Sequence, residues 1–364
     1  MYLNPSARSW KSEYIIDPTV LPFHKALPNY EESPLLKLPQ SFSQKLGVGS
    51  ILVKDESHRF GLPAYKILGA SWGCYRTVAK RLGLPLTTPL EEVKEVAQHA
   101  NYRIYTATDG NWGRSVARMA KVLGTSAYLY VPKVMIESTR RKIAHEGATV
   151  IVVDGDYDQA VKEAERVCLE TGGILIEDTA WPGYEEIPQW VVDGYSTMMV
   201  EIDQQAQALV GKRPDLVVCP VGAGSLAQAV VAHFKHVQPS AAILTVEADT
   251  AASLKTSLEN GHITPIPTED TIMCGMNCGT VSLLAWPFLR DGVDASIVVT
   301  DDEDRVAQDA LKEMHINIGP CGAATLAALT KACKEGKEKI YIGPDSIVVL
   351  LGTEAPRGST LDTA

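Results

Sequence analysis

Lys66 lies in the stretch Ser57-His58-Arg59-Phe60-Gly61-Leu62-Pro63-Ala64-Tyr65-Lys66-Ile67-Leu68-Gly69-Ala70, polar at its start and apolar from Leu62 onward. Gly61 and Pro63 mark a loop, and the run from Ala64 predicts the first turns of a helix. A lysine just inside that helix, flanked by Tyr65, Ile67 and Leu68, is partly desolvated, which lowers its pKa and leaves some amine neutral. A neutral amine is what Schiff-base chemistry with a carbonyl compound needs. The stretch taken alone reads more readily as a surface lysine on an amphipathic helix, so other stretches must decide. Lys54, beside Asp55, is a second and weaker Schiff-base candidate.

Two acids stand in turn-rich segments that follow apolar runs. Asp109 sits in Thr108-Asp109-Gly110-Asn111-Trp112-Gly113 and Asp178 in Glu177-Asp178-Thr179-Ala180-Trp181-Pro182-Gly183-Tyr184. Each is a candidate general base, and each is also an ordinary capping or turn residue. Trp181 is placed to wall a pocket. Gly222-Ala223-Gly224-Ser225-Leu226 follows another apolar run and opens a helix, where free N–H groups and close backbone approach make an anion cradle. The same turn, with Ala227 as its sixth position and Glu247 at the end of the next strand, fits a dinucleotide-binding fingerprint. Gly352 and Thr353 follow the last apolar run, where a hydroxyl can meet a ring nitrogen. His233 and His236 lack metal-ligand company and read as a solvated helix end. Cys274 and Cys278 have no second pair to complete a zinc site, so no metal is expected.

The elements that must carry these residues alternate. Strands are predicted at 51–54, 103–107, 127–131, 149–153, 174–177, 216–219, 242–247, 296–300 and 347–351. Helices are predicted at 114–123, 136–145, 158–171, 225–236, 251–260 and 323–334. This β-α-β order predicts an α/β protein with mostly parallel sheets and helices on both faces. Ligands of such sheets collect at the carboxyl ends of strands, and the segments bearing Lys66, Asp109, Asp178 and Gly222 all follow strands. Residues 1–50, rich in proline, read as an arm that wraps a domain or reaches a neighbouring subunit. The stretch 262–270 reads as a mobile loop.

The 364 residues allow two sub-domains. A net charge of -10 argues against nucleic acid and anionic membranes as partners. It leaves room for an anionic cofactor held by backbone dipoles. No run approaches a membrane span, no apolar signal core opens the chain, and the seven scattered cysteines suit reduced thiols. A cytoplasmic protein is expected.

Taken together and in this order, SHRFGLPAYKILGA, TATDGNWGR, EDTAWPGY and VGAGSLA resemble the signatures of the fold-type II pyridoxal-phosphate enzymes, the tryptophan-synthase-β and serine/threonine-dehydratase group, and within it the diaminopropionate ammonia-lyases. The resemblance runs from about Ile51 to Glu354. It implies two three-layer α/β/α domains, the larger at 1–70 and 172–364 and the smaller at 71–171, with the active site in the cleft. It also implies pyridoxal 5'-phosphate as cofactor, a small amino acid as substrate and a homodimer. Lys66 would hold the cofactor through a Schiff base, Asn111 would contact its phenolic oxygen, and Gly222, Ala223, Gly224, Ser225 and Leu226 would cradle its phosphate. Thr353 or Gly352 would lie by the ring nitrogen. Asp109 would act on the D-form of a substrate and Asp178 on the L-form. The implied reaction converts 2,3-diaminopropionate to pyruvate and ammonia. A serine-, threonine- or 3-hydroxyaspartate-type dehydratase, a β-replacement enzyme and an NAD-dependent oxidoreductase are the alternatives. Three departures bear on substrate: Trp112 where His is usual, Pro63 where Asn is common, and Ile318-Gly319-Pro320-Cys321-Gly322 in place of a Ser-Gly-rich turn.

Overall fold

Runs that are apolar at nearly every position, such as 216–219 and 347–351, suit strands covered on both faces. In the computed structural model, which describes residues 1–108 and 110–356, these runs are central strands of a parallel sheet. Asp109 lies outside the described residues. In chain order the strands are β1 (Tyr2–Leu3), β2 (Leu35–Lys37), β3 (Ser50–Asp55), β4 (Arg103–Ala107), β5 (Ser126–Pro132), β6 (Thr149–Val153), β7 (Ile174–Leu175), β8 (Leu216–Pro220), β9 (Ala242–Ala248), β10 (Ala295–Val299) and β11 (Ile347–Gly352). They form a seven-stranded sheet, β1-β10-β9-β8-β11-β3-β2, and a four-stranded sheet, β6-β5-β4-β7. Among the named strands of the described residues, only the edge strands β1 and β2 pair antiparallel.

The chain divides into two compact units. The first comprises Met1–Asp17, Glu31–Arg59 and the described residues from Tyr195 onward; the second comprises Pro18–Tyr30 and Phe60–Gly194. This division differs from the expected one at 18–30, 60–70 and 172–194, all of which join the second unit. Packing is the reason. The helix Lys66–Arg81 lies against the helices Asn111–Val122 and Glu186–Gly194. His24, fully buried, has Nε2 3.0 Å from both the Leu68 carbonyl and Ser71 Oγ.

In the first unit every residue of β8, β9 and β11 is buried. The helix Pro320–Gly336 packs on β8, β9, β10 and β11, and the helix Ser225–Phe234 on β8 and β9. The register pairs Gly352 with Asp55, Pro220 with Val246 and Val299 with Ala248, so the carboxyl ends of these strands share one edge. In the second unit β4 pairs with β7 through Tyr105 and Leu175. The segments that follow those two strands also leave from one edge.

Residues 1–17 wrap their own unit. The Asn4 N–H donates to the Asp294 carbonyl at 2.8 Å, the Ser12 N–H to the Lys235 carbonyl at 3.1 Å, and Arg8 Nη1 to the Ser240 carbonyl at 2.8 Å. His233 is buried and not solvated, whereas His236, just past the helix end, is exposed. His233 Nε2 meets Asp203 Oδ2 at 2.8 Å, and His236 Nδ1 meets the Ser12 carbonyl at 3.1 Å. The 262–270 stretch has no regular structure, yet Ile266 and Glu269 donate backbone hydrogen bonds to Gly279 and Thr250.

A buried ionic network closes the root of the lysine-bearing segment. Lys54 Nζ donates to Glu201 Oε2 at 2.7 Å, to the Ser33 carbonyl at 2.7 Å and to Gln205 Oε1 at 3.0 Å. Arg59 bonds Glu56 and Glu201 with both arms of its guanidinium. Burial opposes the charge on Arg59, and the two glutamates outweigh it and hold the guanidinium protonated. Lys54, the weaker Schiff-base candidate, is thereby committed to structure. Removing one partner leaves a buried charge without compensation, so Glu201→Ala is expected to cost about 3–5 kcal/mol. The check is the urea midpoint, and a midpoint within error of wild type would sink the estimate.

Candidate active site

In the second unit Lys66 is the first residue of its helix, with Tyr65 as N-cap. Its ammonium lies 2.5 Å from Asp178 Oδ2, and the two side chains are 24% and 13% exposed. Neither points freely into solvent. The Tyr65 and Trp112 ring centroids stand 5.5 and 6.0 Å from Nζ, so aromatic faces border the amine. Asp178 reaches the lysine because β7 ends early, at Leu175, and the chain then turns out of the sheet. Trp181 stacks on Tyr184 at 4.4 Å, and the Tyr184 hydroxyl accepts from the Glu177 N–H and donates to the Leu175 carbonyl, pinning that turn.

Asn111 opens the helix Asn111–Val122 and is half-buried. Its loop is organised by Thr108, whose Oγ1 accepts from the N–H groups of Gly110 at 3.0 Å and Gly113 at 2.8 Å. Thr108 is nearly inaccessible and was not singled out from the sequence. Its signal is a hydroxyl residue just ahead of a glycine-rich helix start.

In the first unit β8 delivers the 222–226 turn. Gly224, at φ +102, is the N-cap of the helix Ser225–Phe234, a backbone angle that L side chains rarely adopt. The first N–H groups of that helix have no intrahelical acceptor and present partial positive charge. Ser225 and Leu226 are buried, and the Ala223 carbonyl takes the Ser282 N–H at 2.8 Å.

β11 delivers Gly352 and Thr353. Thr353 is buried, and its Oγ1 has no hydrogen-bond partner among the described residues. It is held by its neighbour. Glu354 Oε1 accepts the Cys321 N–H at 3.2 Å at the start of the helix Pro320–Gly336, and the Glu354 carbonyl accepts the Gly319 N–H at 2.7 Å. A Cβ on Gly322 would stand 2.9 Å from Gly352 Cα and from Thr353 N. The 318–322 stretch, read from sequence only as a departure, is therefore the seat of the Gly352–Thr353 turn.

Glu247 does not fit a ribose-binding role. It is fully buried, and its two oxygens accept the N–H groups of Leu254 at 2.6 Å and Lys255 at 2.8 Å. Burial pushes its pKa up to about 8, with those two donors acting in the opposite direction. Glu247 is therefore not free for a nucleotide sugar. All seven cysteines are free thiols, and among the described residues no group of His, Cys, Asp or Glu could hold a metal.

Parallel sheets, a lysine at a helix start after a strand and a glycine turn at a second helix start define an α/β enzyme of pyridoxal-phosphate fold type II. The family model described as pyridoxal-phosphate dependent enzyme matches residues 26–353, and the chain belongs to that family. A diaminopropionate ammonia-lyase of Salmonella typhimurium is 39% identical over 295 residues, covering 78% of this chain and 72% of the relative. The crystal structure of diaminopropionate ammonia lyase from Escherichia coli in complex with D-serine superposes with a TM-score of 0.90 at 28% identity, covering 99% of this chain and 95% of that one. A structure of the same enzyme with an aminoacrylate-PLP azomethine reaction intermediate gives 0.88, covering 99% and 94%.

The residues present fit the cofactor of this family. The orphaned Thr353 hydroxyl is a hydrogen-bonding group in need of a partner. The Gly224 helix start presents N–H groups that suit an anion, and the Lys66 side chain is 24% exposed. Because backbone meets backbone at Gly322, Gly322→Ala is expected to cost about 1–3 kcal/mol as overpacking. Thermal melting of the apoprotein checks it; an unchanged melting temperature would contradict this seat.

Proposed function

We propose that this chain is a pyridoxal-phosphate dependent ammonia-lyase that converts 2,3-diaminopropionate to pyruvate and ammonia. The observation that carries the reading is the Lys66–Asp178 pair at 2.5 Å, an amine and a base in direct contact at a helix start. The Salmonella and Escherichia coli enzymes named above support it.

Lys66 would hold the cofactor's aldehyde carbon, Asn111 its phenolic oxygen, the turn Gly222, Ala223, Gly224, Ser225 and Leu226 its phosphate, and Thr353 beside Gly352 its ring nitrogen. Pyridoxal phosphate, when bound, supplies an electron sink for negative charge at the substrate's C2. A neutral hydroxyl at Thr353 adds no charge to the ring, which favours prompt departure of the C3 group. Asp178 accepts the C2 proton of the L-form, and Asp109 is assigned the D-form. The C3–N bond breaks as Lys66 delivers a proton to the departing amine. The enamine that is released takes up water and yields pyruvate and a second ammonia.

A dehydratase acting on serine-like substrates is the second reading, favoured by the D-serine held in the Escherichia coli structure. Comparing pyruvate release from 3-amino and 3-hydroxy substrates separates the two, and faster turnover of serine would displace the first. A cytoplasmic homodimer is part of this proposal; light scattering of the purified holoenzyme tests the dimer.

Two substitutions test the assignment. Lys66→Ala is expected to abolish both the visible absorbance of the lysine-bound cofactor and turnover; retained turnover on 2,3-diaminopropionate rules the mechanism out. Thr353→Val, removing one hydrogen bond, is expected to weaken pyridoxal-phosphate binding by about 0.5–1.5 kcal/mol. Titration of apoprotein with the cofactor reads the loss, and wild-type affinity would remove Thr353 from the site.

A further inference from the structure

The β4–β7 ladder ends in an unusual way. Parallel strands continue as long as each backbone N–H finds a carbonyl on the neighbour. Past the paired residues Tyr105 and Leu175, the Ile176 N–H still donates to the Tyr105 carbonyl at 2.9 Å. The next donor, the Ala107 N–H, is met by a side chain instead: Glu177 Oε1 accepts it at 2.6 Å. The same oxygen takes the Thr106 hydroxyl at 3.1 Å, and Thr106 Oγ1 accepts from Trp112 Nε1 at 2.9 Å. A chain of contacts thus runs from the indole that borders Lys66 to the residue beside Asp178.

We propose that Glu177 is a positioning residue for Asp178: its carboxyl, carrying its proton, takes the place of the strand's main chain and so turns Asp178 out of the sheet toward Lys66. The inference rests on the reading of Lys66 and Asp178 given above. The surroundings of Glu177 favour the neutral form. Glu177 is 2% exposed, and among the described residues no cation pairs with it, since Lys66 is taken by Asp178. The titratable groups facing it are Asp178 on its own segment and Tyr184, whose hydroxyl bonds the Glu177 N–H. A lone buried charge beside a second carboxylate takes up a proton. Burial, first, and the charge of Asp178 raise the Glu177 pKa well above the usual carboxylate range, against the two donors. Were Glu177 ionised, a second negative charge would stand beside the Asp178 carboxylate.

Two variants test this. Glu177→Gln keeps size, acceptor and neutrality, so kcat is expected within about threefold of wild type, with the acid limb of the kcat/KM pH profile in place. Glu177→Ala leaves the Ala107 N–H unmet and the Asp178 segment held by Tyr184 alone, so kcat is expected to fall on the order of tenfold to a hundredfold with KM little changed. The difference infrared spectrum of wild-type apoenzyme minus Glu177→Gln apoenzyme is expected to show the carbonyl stretch of a protonated carboxyl. This last readout needs neither cofactor nor turnover, and it holds even where Glu177→Ala does not fold. A carboxylate band in its place, or an acid limb shifted to lower pH in Glu177→Gln, overturns the proposal, as does full kcat in Glu177→Ala. A wild-type enzyme inert toward 2,3-diaminopropionate, with the protonated band present, instead overturns the substrate assignment while the buried acid stands.

Discussion

The contact between the Lys66 ammonium and the Asp178 carboxylate is the constraint around which the second unit is built. An amine and a base serve one reacting centre only when both are held in place, and that condition does not come from the two side chains alone. The helix that starts at Lys66 is clamped by the neighbouring helices Asn111–Val122 and Glu186–Gly194 and by His24 from beneath. The segment bearing Asp178 is pinned by Tyr184 and by the Glu177 carboxyl. Aromatic faces at Tyr65 and Trp112 limit water around Nζ without competing for its hydrogen bonds.

The first unit solves a different problem, that of offering polar groups at the edge of a sheet that is otherwise apolar. Parallel strands buried on both faces end together, and the helices that follow bring unpaired N–H groups to that edge. The 222–226 turn is one such start. Thr353 is the complementary case, a buried hydroxyl kept without a protein partner and held in place through Glu354 and the Cys321 N–H. A buried polar atom without a partner costs free energy, and the cofactor of the pyridoxal-phosphate dependent enzyme family would, in the proposed assignment, offer it one.

Much of this architecture was legible in the chain. The strands at 103–107 and 149–153 match the observed bounds, because alternation between short apolar runs and helical segments is written locally. The helices Ser196–Val210 and Asp301–Glu313 were missed, although Thr300 and Glu303 form a capping box that marks the second of them. Glu247, read as a possible sugar-binding acid, caps a helix, since fingerprint spacing says nothing about whether a carboxylate is already engaged. The compact units differ from the expected division at 60–70 and 172–194 for a similar reason. Which layer a helix joins depends on partners distant along the chain.

The sequence by itself determined the α/β class, the positions of the glycine turns and lysine loop after strands, and the membership of a cofactor family. These follow from local patterns and from short motifs whose order along the chain is preserved. Only the tertiary structure decided that Lys66 meets Asp178 and not solvent, that Lys54 is spent in a buried network with Glu201, and that Glu177 stands in for main chain beside Ala107. Each of these is a contact between residues far apart in sequence, made or refused according to how neighbouring elements pack, and no spacing along the chain encodes it.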